Sequence, residues 1–207
     1  MTASASSSRP TLDRERAIVV VIDLQGRLVD LMHRPRMVID GTARLLRLAQ
    51  LFDLPVIVTE QYPRGLGPTR EEIEAVIEDT DPEGRRTRRV EKDSFGCCGE
   101  PAFEEALAAA RPGLEPARQQ VVVAGIEAHI CVVQTVLDLL SRGTDVHVCW
   151  DCTSSRGKEY RRHALERMGG AGAQITNHES VAFELARDKN HPQFKGVNRL
   201  LREGQIA

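Results

Sequence analysis

Apolar positions along the chain fall into two alternating patterns. Nearly continuous β-branched runs at residues 17–23 (AIVVVID), 55–59 (PVIVT) and 119–125 (QQVVVAG) predict strands buried on both faces. Between them apolar residues recur at helical spacing. Leu45, Leu46, Leu48 and Leu51 share one face of a helix predicted over 39–52. A short helix over 70–78 leads into a polar loop at 79–89, and 87–91 reads as a short third strand. Pro101 opens a helix over 101–111, and Gly143 closes one over 128–142. A strand at 145–150, a helix at 158–168 and a strand at 173–176 follow, with helices near 180–187 and 193–202 closing the chain.

Six strands interleaved with helices define an α/β protein built on a parallel sheet with helices on both faces. Right-handed crossovers restrict such a chain to a few doubly wound topologies, in which ligands sit beyond the C-terminal ends of the strands. There is no internal repeat and no linker. A single domain over 16–207 is therefore expected, and 207 residues suffice for one full α/β core.

Composition changes this picture little. Aromatic residues make up only 4% of the chain, so the core must be aliphatic. A net charge of −2 without a basic face argues against nucleic acid or an anionic membrane as partner, and leaves a small-molecule substrate. No apolar run approaches the ~20 residues of a membrane span. Residues 1–15 are Ser-rich at their start and lack an apolar stretch, which predicts a disordered tail rather than a secretory signal. Five cysteines, an odd number, fit reduced thiols in a cytoplasmic protein better than a disulfide framework.

Three reactive residues fall at the predicted strand ends: Asp23, Lys92 and Cys131. Cys131 lies in the first turn of the helix after the fourth strand, where unpaired N–H groups favour a thiolate. Lowering its pKa from ~8.5 to ~6 requires roughly 3 kcal/mol. A helix terminus supplies about 1 kcal/mol of that, and the Lys92 ammonium is the candidate for the rest. Asp23 would take the thiol proton as general base. The competing reading of Cys131 is a small buried hydrophobe, since free cysteine is among the most buried residue types. The company of Asp23 and Lys92 favours catalysis.

The segments 22–25 (IDLQ), 90–95 (VEKDSF) and 125–132 (GIEAHICV) together resemble the isochorismatase-like cysteine hydrolases, over residues 16 to 190. The stretch 59–69 (TEQYPRGLGPT) is similar to the isochorismatase domain-containing branch. The resemblance implies a Rossmann-like sheet of order 3-2-1-4-5-6, a triad of Asp23, Lys92 and Cys131, and a thioester acyl-enzyme. It also implies a cis peptide between Ile126 and Glu127, with the N–H groups of Glu127 and Cys131 as oxyanion donors. It implies assembly into a dimer or larger homo-oligomer. Nicotinamidases of this family hold a metal through an Asp-x-His pair after the second strand. Glu60, Gln61 and Tyr62 stand there instead, so no metal and no cofactor are expected. True isochorismatases typically lack the cysteine, which leaves an amide- or imide-type C–N bond as the expected target.

By position, Leu28, Gln61, Tyr62 and Phe95 are candidate pocket residues, with ordinary packing the alternative for each. Cys149 and Cys152 form a C-x-x-C without a second matching pair, so a redox or metal role is the minor reading. Cys97 and Cys98 are vicinal and close to Lys92 in sequence. The basic run 85–89 (RRTRR) reads as a solvated loop, with a substrate-anion site the lesser alternative. Two other functions stay open: a redox protein working through Cys149 and Cys152, and a catalytically idle binding or assembly module.

Overall fold

A computed structural model describes residues 11–202. Strands β1 (Ala17–Ile22), β2 (Val56–Gln61), β3 (Thr87–Lys92), β4 (Gln120–Gly125), β5 (Asp145–Thr153) and β6 (Gln174–Thr176) form one sheet, ordered β3-β2-β1-β4-β5-β6. Every neighbouring pair is parallel. The helices are α1 (Pro35–Leu51), α2 (Pro63–Leu66), α3 (Glu71–Thr80), α4 (Pro101–Ala110), α5 (Val133–Ser141), α6 (Lys158–Gly170), α7 (His178–Ala186) and α8 (Phe194–Arg202). None of them is long and apolar enough to cross a membrane.

The period of two in each strand divides the core. Val19 and Val21 of β1, with Val58 of β2 and Val122 of β4, face a layer made by α1, α3, α7 and α8. Ile18, Val20 and Ile22, with Ile57, Val123 and Val148, face α4, α5 and α6. All six residues of β1 are buried, as the unbroken apolar run requires of a central parallel strand. The edges are blunted differently: β3 exposes Arg88, Arg89 and Glu91, and β6 is three residues long.

Several boundaries differ from expectation. Pro35 starts α1 one turn early, because Arg34 takes a left-handed conformation with φ 54° and delivers proline to the first helical position. Leu12, assigned above to a disordered tail, is fully buried in the core, and Asp13 N–H donates to Gln120 Oε1 at 2.7 Å. Ordered chain thus begins before residue 16, while residues 1–10 of the expected tail lie outside the described residues. The helix expected from Ala128 opens as a π turn over Ala128–Val132 before α5. β5 runs to Thr153 rather than Trp150, because it bulges. Val123 pairs with Val148 but Gly125 with Thr153, so two steps of β4 face five of β5.

β1 and β4 are adjacent although the chain reverses direction across the sheet between them, which makes their C-terminal ends the switch point. Gly125 fits there because nothing larger can. Its φ is 126°, and a Cβ would lie 2.1 Å from the Ile22 carbonyl oxygen. This approach seats the turn after β4 directly beside the end of β1.

Candidate active site

Three strand ends converge on one buried ion pair. Asp23 follows β1 with φ 52°, a left-handed conformation that aspartate tolerates better than most residues. Its Oδ1 accepts the Thr59 hydroxyl at 2.7 Å, and its Oδ2 lies 2.8 Å from Lys92 Nζ. Lys92 ends β3 with its side chain completely buried. The ammonium pairs with Asp23 Oδ2 by charge and donates its hydrogen bonds to Gln61 Oε1 at 2.7 Å, the Phe95 carbonyl at 3.0 Å and the Ser94 carbonyl at 3.1 Å. A buried ammonium is tolerable only with such a shell of acceptors. Gln61 is itself fixed: its Nε2 donates to the Asp93 carbonyl at 2.8 Å, and its backbone N–H donates to Gln25 Oε1 at 2.7 Å.

Cys131 sits in the π turn, 7% exposed, with its thiol facing the Asp23 carboxylate. Burial, and next the Asp23 charge, push the thiol up from 9.0 to about 12, with Lys92 pulling only weakly the other way. This overturns the expectation of a thiol lowered to ~6 and already ionised at rest. The resting pair is thiol and carboxylate. Moving the proton from Cys131 to Asp23 leaves one negative charge beside Lys92 before and after, so the transfer creates no new buried charge. Because the folded thiol holds its proton more tightly than an unfolded one, its stabilising contribution is complete below pH 9 and is lost as pH rises towards 12. Alkaline unfolding of the wild type is expected to begin above pH ~9, and Cys131→Ala should shallow that dependence, as read from denaturation midpoints across pH.

The turn before Cys131 is lashed to the loop after β5. The peptide joining Ile126 to Glu127 is cis. Glu127 is buried. Burial alone would raise its carboxyl, but the Arg156 guanidinium and backbone N–H outweigh that and hold it below the ordinary carboxylate range. Arg156 N–H donates to Glu127 Oε2 at 2.9 Å, and its Nε lies 3.1 Å from both oxygens. Ala128 N–H donates to the Ser154 carbonyl at 2.7 Å. His129 Nδ1 is 3.0 Å from Ser155 Oγ, and its ring stacks on Tyr160 at 4.7 Å. Arg156 is thus a positioning residue for the turn. Arg156→Ala is expected to lower kcat by roughly ten- to a hundredfold with KM little changed, and Arg156→Lys to recover part of it in the same kinetic assay.

The structure therefore brings Asp23, Lys92 and Cys131 together, with Gln61 as a direct partner of Lys92. Phe95 enters through its carbonyl, while its ring is 58% exposed. Tyr62 is 54% exposed, with its ring against Gly65, and Leu28 is half-buried against the aliphatic core. The basic run is tied to its own surroundings: Arg85 pairs with Glu83 at 3.1 Å, Arg86 with Asp53 at 3.5 Å, and Arg89 with Glu74. Glu60 accepts from the N–H and hydroxyl of Thr69, both at 2.6 Å.

Sequence reading missed Thr59, Arg156 and the reach of Cys97. Cys97 Sγ lies 3.9 Å from Thr59 Oγ1, which in turn binds Asp23, and burial pushes the Cys97 thiol up to about 11. A signal for Arg156 existed: a glutamate in an otherwise apolar turn requires a cation.

A parallel sheet with a thiol, a carboxylate and an ammonium at its switch point is the arrangement of a hydrolase fold of the cysteine type. The Isochorismatase domain model matches residues 17–180, and the chain belongs to that family, the isochorismatase-like cysteine hydrolases. It is 37% identical over 201 residues to isochorismatase domain-containing protein 2A of Mus musculus, covering 97% of this chain and 90% of that one. The MAR1 ribonuclease structure from Caenorhabditis elegans superposes with TM-score 0.81 at 33% identity, covering 93% and 92% of the two chains. The YcaC gene product of Escherichia coli, described as an octameric hydrolase of unknown specificity, superposes with TM-score 0.77 at 25% identity, covering 96% and 98%.

Proposed function

We propose that this protein hydrolyses an amide- or imide-type C–N bond of a small molecule through a thioester on Cys131. The observation that carries the reading is the buried Asp23–Lys92 pair at 2.8 Å with the Cys131 thiol against it. Asp23 takes the thiol proton as sulfur bonds to the substrate carbonyl carbon, and the carbonyl π pair moves onto oxygen. The N–H groups of Glu127 and Cys131 receive that oxyanion. When the oxyanion collapses, the C–N bond breaks and Asp23 returns the proton to the leaving nitrogen. A water then gives one proton to Asp23 and its hydroxyl to the thioester carbon. Collapse releases the acid, and the sulfur regains its proton from Asp23. Lys92 stays protonated throughout. It holds the carboxylate in place and balances the charge that passes between Asp23 and sulfur.

Gln61 would orient a polar substrate group, with Leu28, Tyr62 and Phe95 at the margin of the pocket. No metal or cofactor enters the scheme. The reading implies a reducing, cytoplasmic setting, because Cys131 acts as a thiol. It also includes assembly of this chain with copies of itself. The exposed Leu31, Tyr62, Leu66 and Phe95 supply apolar surface for such contacts, and the Escherichia coli relative is described as octameric.

The name of the Caenorhabditis elegans relative raises RNA as a competing substrate. A cavity of about 320 Å³ at the end of β3 is lined by Glu91, Asp93 and Glu100 against Arg64 and Lys92, and with Lys92 committed to Asp23 this rim offers a polyanion only Arg64 against three carboxylates. The test is acid quenching during turnover of a panel of small amides, imides and carbamates, with peptide mapping by mass spectrometry. An acyl adduct on Cys131 is the expected result. RNA cleavage that survives loss of the Cys131 thiol, with no acyl adduct from any amide, overturns the reading.

A further inference from the structure

On the face of the sheet opposite Cys131, the bulge in β5 creates a second cluster of reactive groups. Cys149 and Cys152 are three residues apart, and in a regular strand they would point to opposite faces. The extra residues in β5 turn both thiols into the same core layer, beneath α1 and α7. Cys149 Sγ, Cys152 Sγ and a carboxylate oxygen of Asp151 all lie within 4.8 Å of one another. Cys152 Sγ is 3.4 Å from Asp151 Oδ1.

These spacings suit a tetrahedral ion. With Zn–S ~2.3 Å and Zn–O ~2.1 Å, ligand atoms sit roughly 3.5–3.8 Å apart, so the cluster needs to contract by about 1 Å at most. The surroundings keep the space clear. A Cβ at Gly41 of α1 would lie 3.1 Å from Cys152 Sγ and 2.7 Å from the Asp151 carbonyl oxygen. Asp151 is held from behind: His178 Nδ1 lies 2.5 Å from its Oδ2, and the His178 backbone N–H lies 3.2 Å from its Oδ1. A histidine that fixes the orientation of a liganding carboxylate is the kind of outer partner metal sites use. Both thiols are sealed from solvent, whereas the Asp151 and His178 side chains are 10% and 12% exposed, which marks the way in.

We propose that Cys149, Asp151 and Cys152 bind a thiophilic dipositive ion of the zinc class, with His178 positioning Asp151. As each S–metal bond forms, that thiol releases its proton to solvent, and the ion's two charges offset the two thiolates created. Soft thiolates with one oxygen select zinc or cadmium over magnesium or calcium. Three protein ligands leave the fourth position to water. The site shares no residue with the Asp23, Lys92 and Cys131 triad, so it stands or falls independently of the proposed hydrolysis.

The test titrates the reduced, metal-free full chain with Cd²⁺, reading thiolate-to-metal charge-transfer absorption and stoichiometry. One equivalent is expected. Cys149→Ser and Cys152→Ser should each weaken binding at least tenfold, and His178→Ala by roughly tenfold. Zinc-edge X-ray absorption gives a second readout that does not depend on whether those variants fold. In the Cys98→Ser/Cys131→Ser chain loaded with one equivalent of Zn²⁺, two sulfur neighbours at about 2.3 Å are expected. Absence of stoichiometric Cd²⁺ binding, fewer than two sulfurs on zinc, or wild-type binding by folded Cys149→Ser and Cys152→Ser overturns the site.

Discussion

Cys131→Ala is expected to abolish the acyl-enzyme and to lower kcat on any amide or imide substrate by at least ~10³-fold. In hydrolases of this logic, loss of the nucleophile leaves only what binding and the oxyanion donors contribute. The reason is chemical rather than structural. Alanine fills most of the space of a buried thiol, so the fold should survive, and circular dichroism with a thermal melt should show a protein close to wild type. A kcat that falls less than tenfold in a folded Cys131→Ala protein would remove the thiol from the mechanism. Simple alkylation is a poorer guide than turnover, because the resting thiol is pushed up to about 12. Iodoacetamide should label Cys131 slowly at neutral pH and faster as pH rises, with no inflection near pH 6. The proposed hydrolysis, with Asp23 as carrier of the proton, needs no resting thiolate.

The second large effect concerns Lys92. Replacing it by methionine keeps the length of the side chain but leaves Asp23 buried without its cation. Removing one partner of a buried ion pair typically costs about 3–5 kcal/mol. At about 2–4 °C per kcal/mol for a chain of this size, the melting temperature should fall by roughly 10 °C. Turnover should vanish with it. The double variant Asp23→Asn/Lys92→Met discriminates between the two roles. With both charges gone, much of the lost stability should return, while activity stays absent. If Lys92→Met alone melts like the wild type, the ammonium is not the counter-ion that the 2.8 Å contact indicates.

Much of this architecture is legible in the sequence, for identifiable reasons. The runs at 17–22 and 120–125 are apolar on both faces, and only a parallel sheet covered by helices accommodates them. Asp23 and Lys92 stand out because each falls at the end of a predicted strand, and Cys131 because it falls in the first turn of the helix predicted after the fourth. Strand order came from the resemblance, since periodicity alone leaves several doubly wound topologies. The bulge in β5 is not visible in residues 145–153, which contain neither glycine nor proline to punctuate the strand. The Cys131 shift runs opposite to the sequence expectation for an energetic reason: burial and the negative charge of Asp23 outweigh the helix terminus and the ammonium. Residues joined through space, such as Arg156 to Glu127 and Cys97 to Thr59, leave no trace in local spacing.

The close approach of Gly125 to Ile22 has a practical consequence. The separation between Asp23 and Cys131 is set by two backbones in contact, with no side chain between them to trim or extend. On the proposed reading, recruitment of this scaffold to new substrates would proceed through the segments that carry Tyr62 and Phe95. Any library aimed at altered specificity should randomise those segments and leave position 125 untouched. Variants at Gly125 would be lost at the folding stage, before selection on activity could see them.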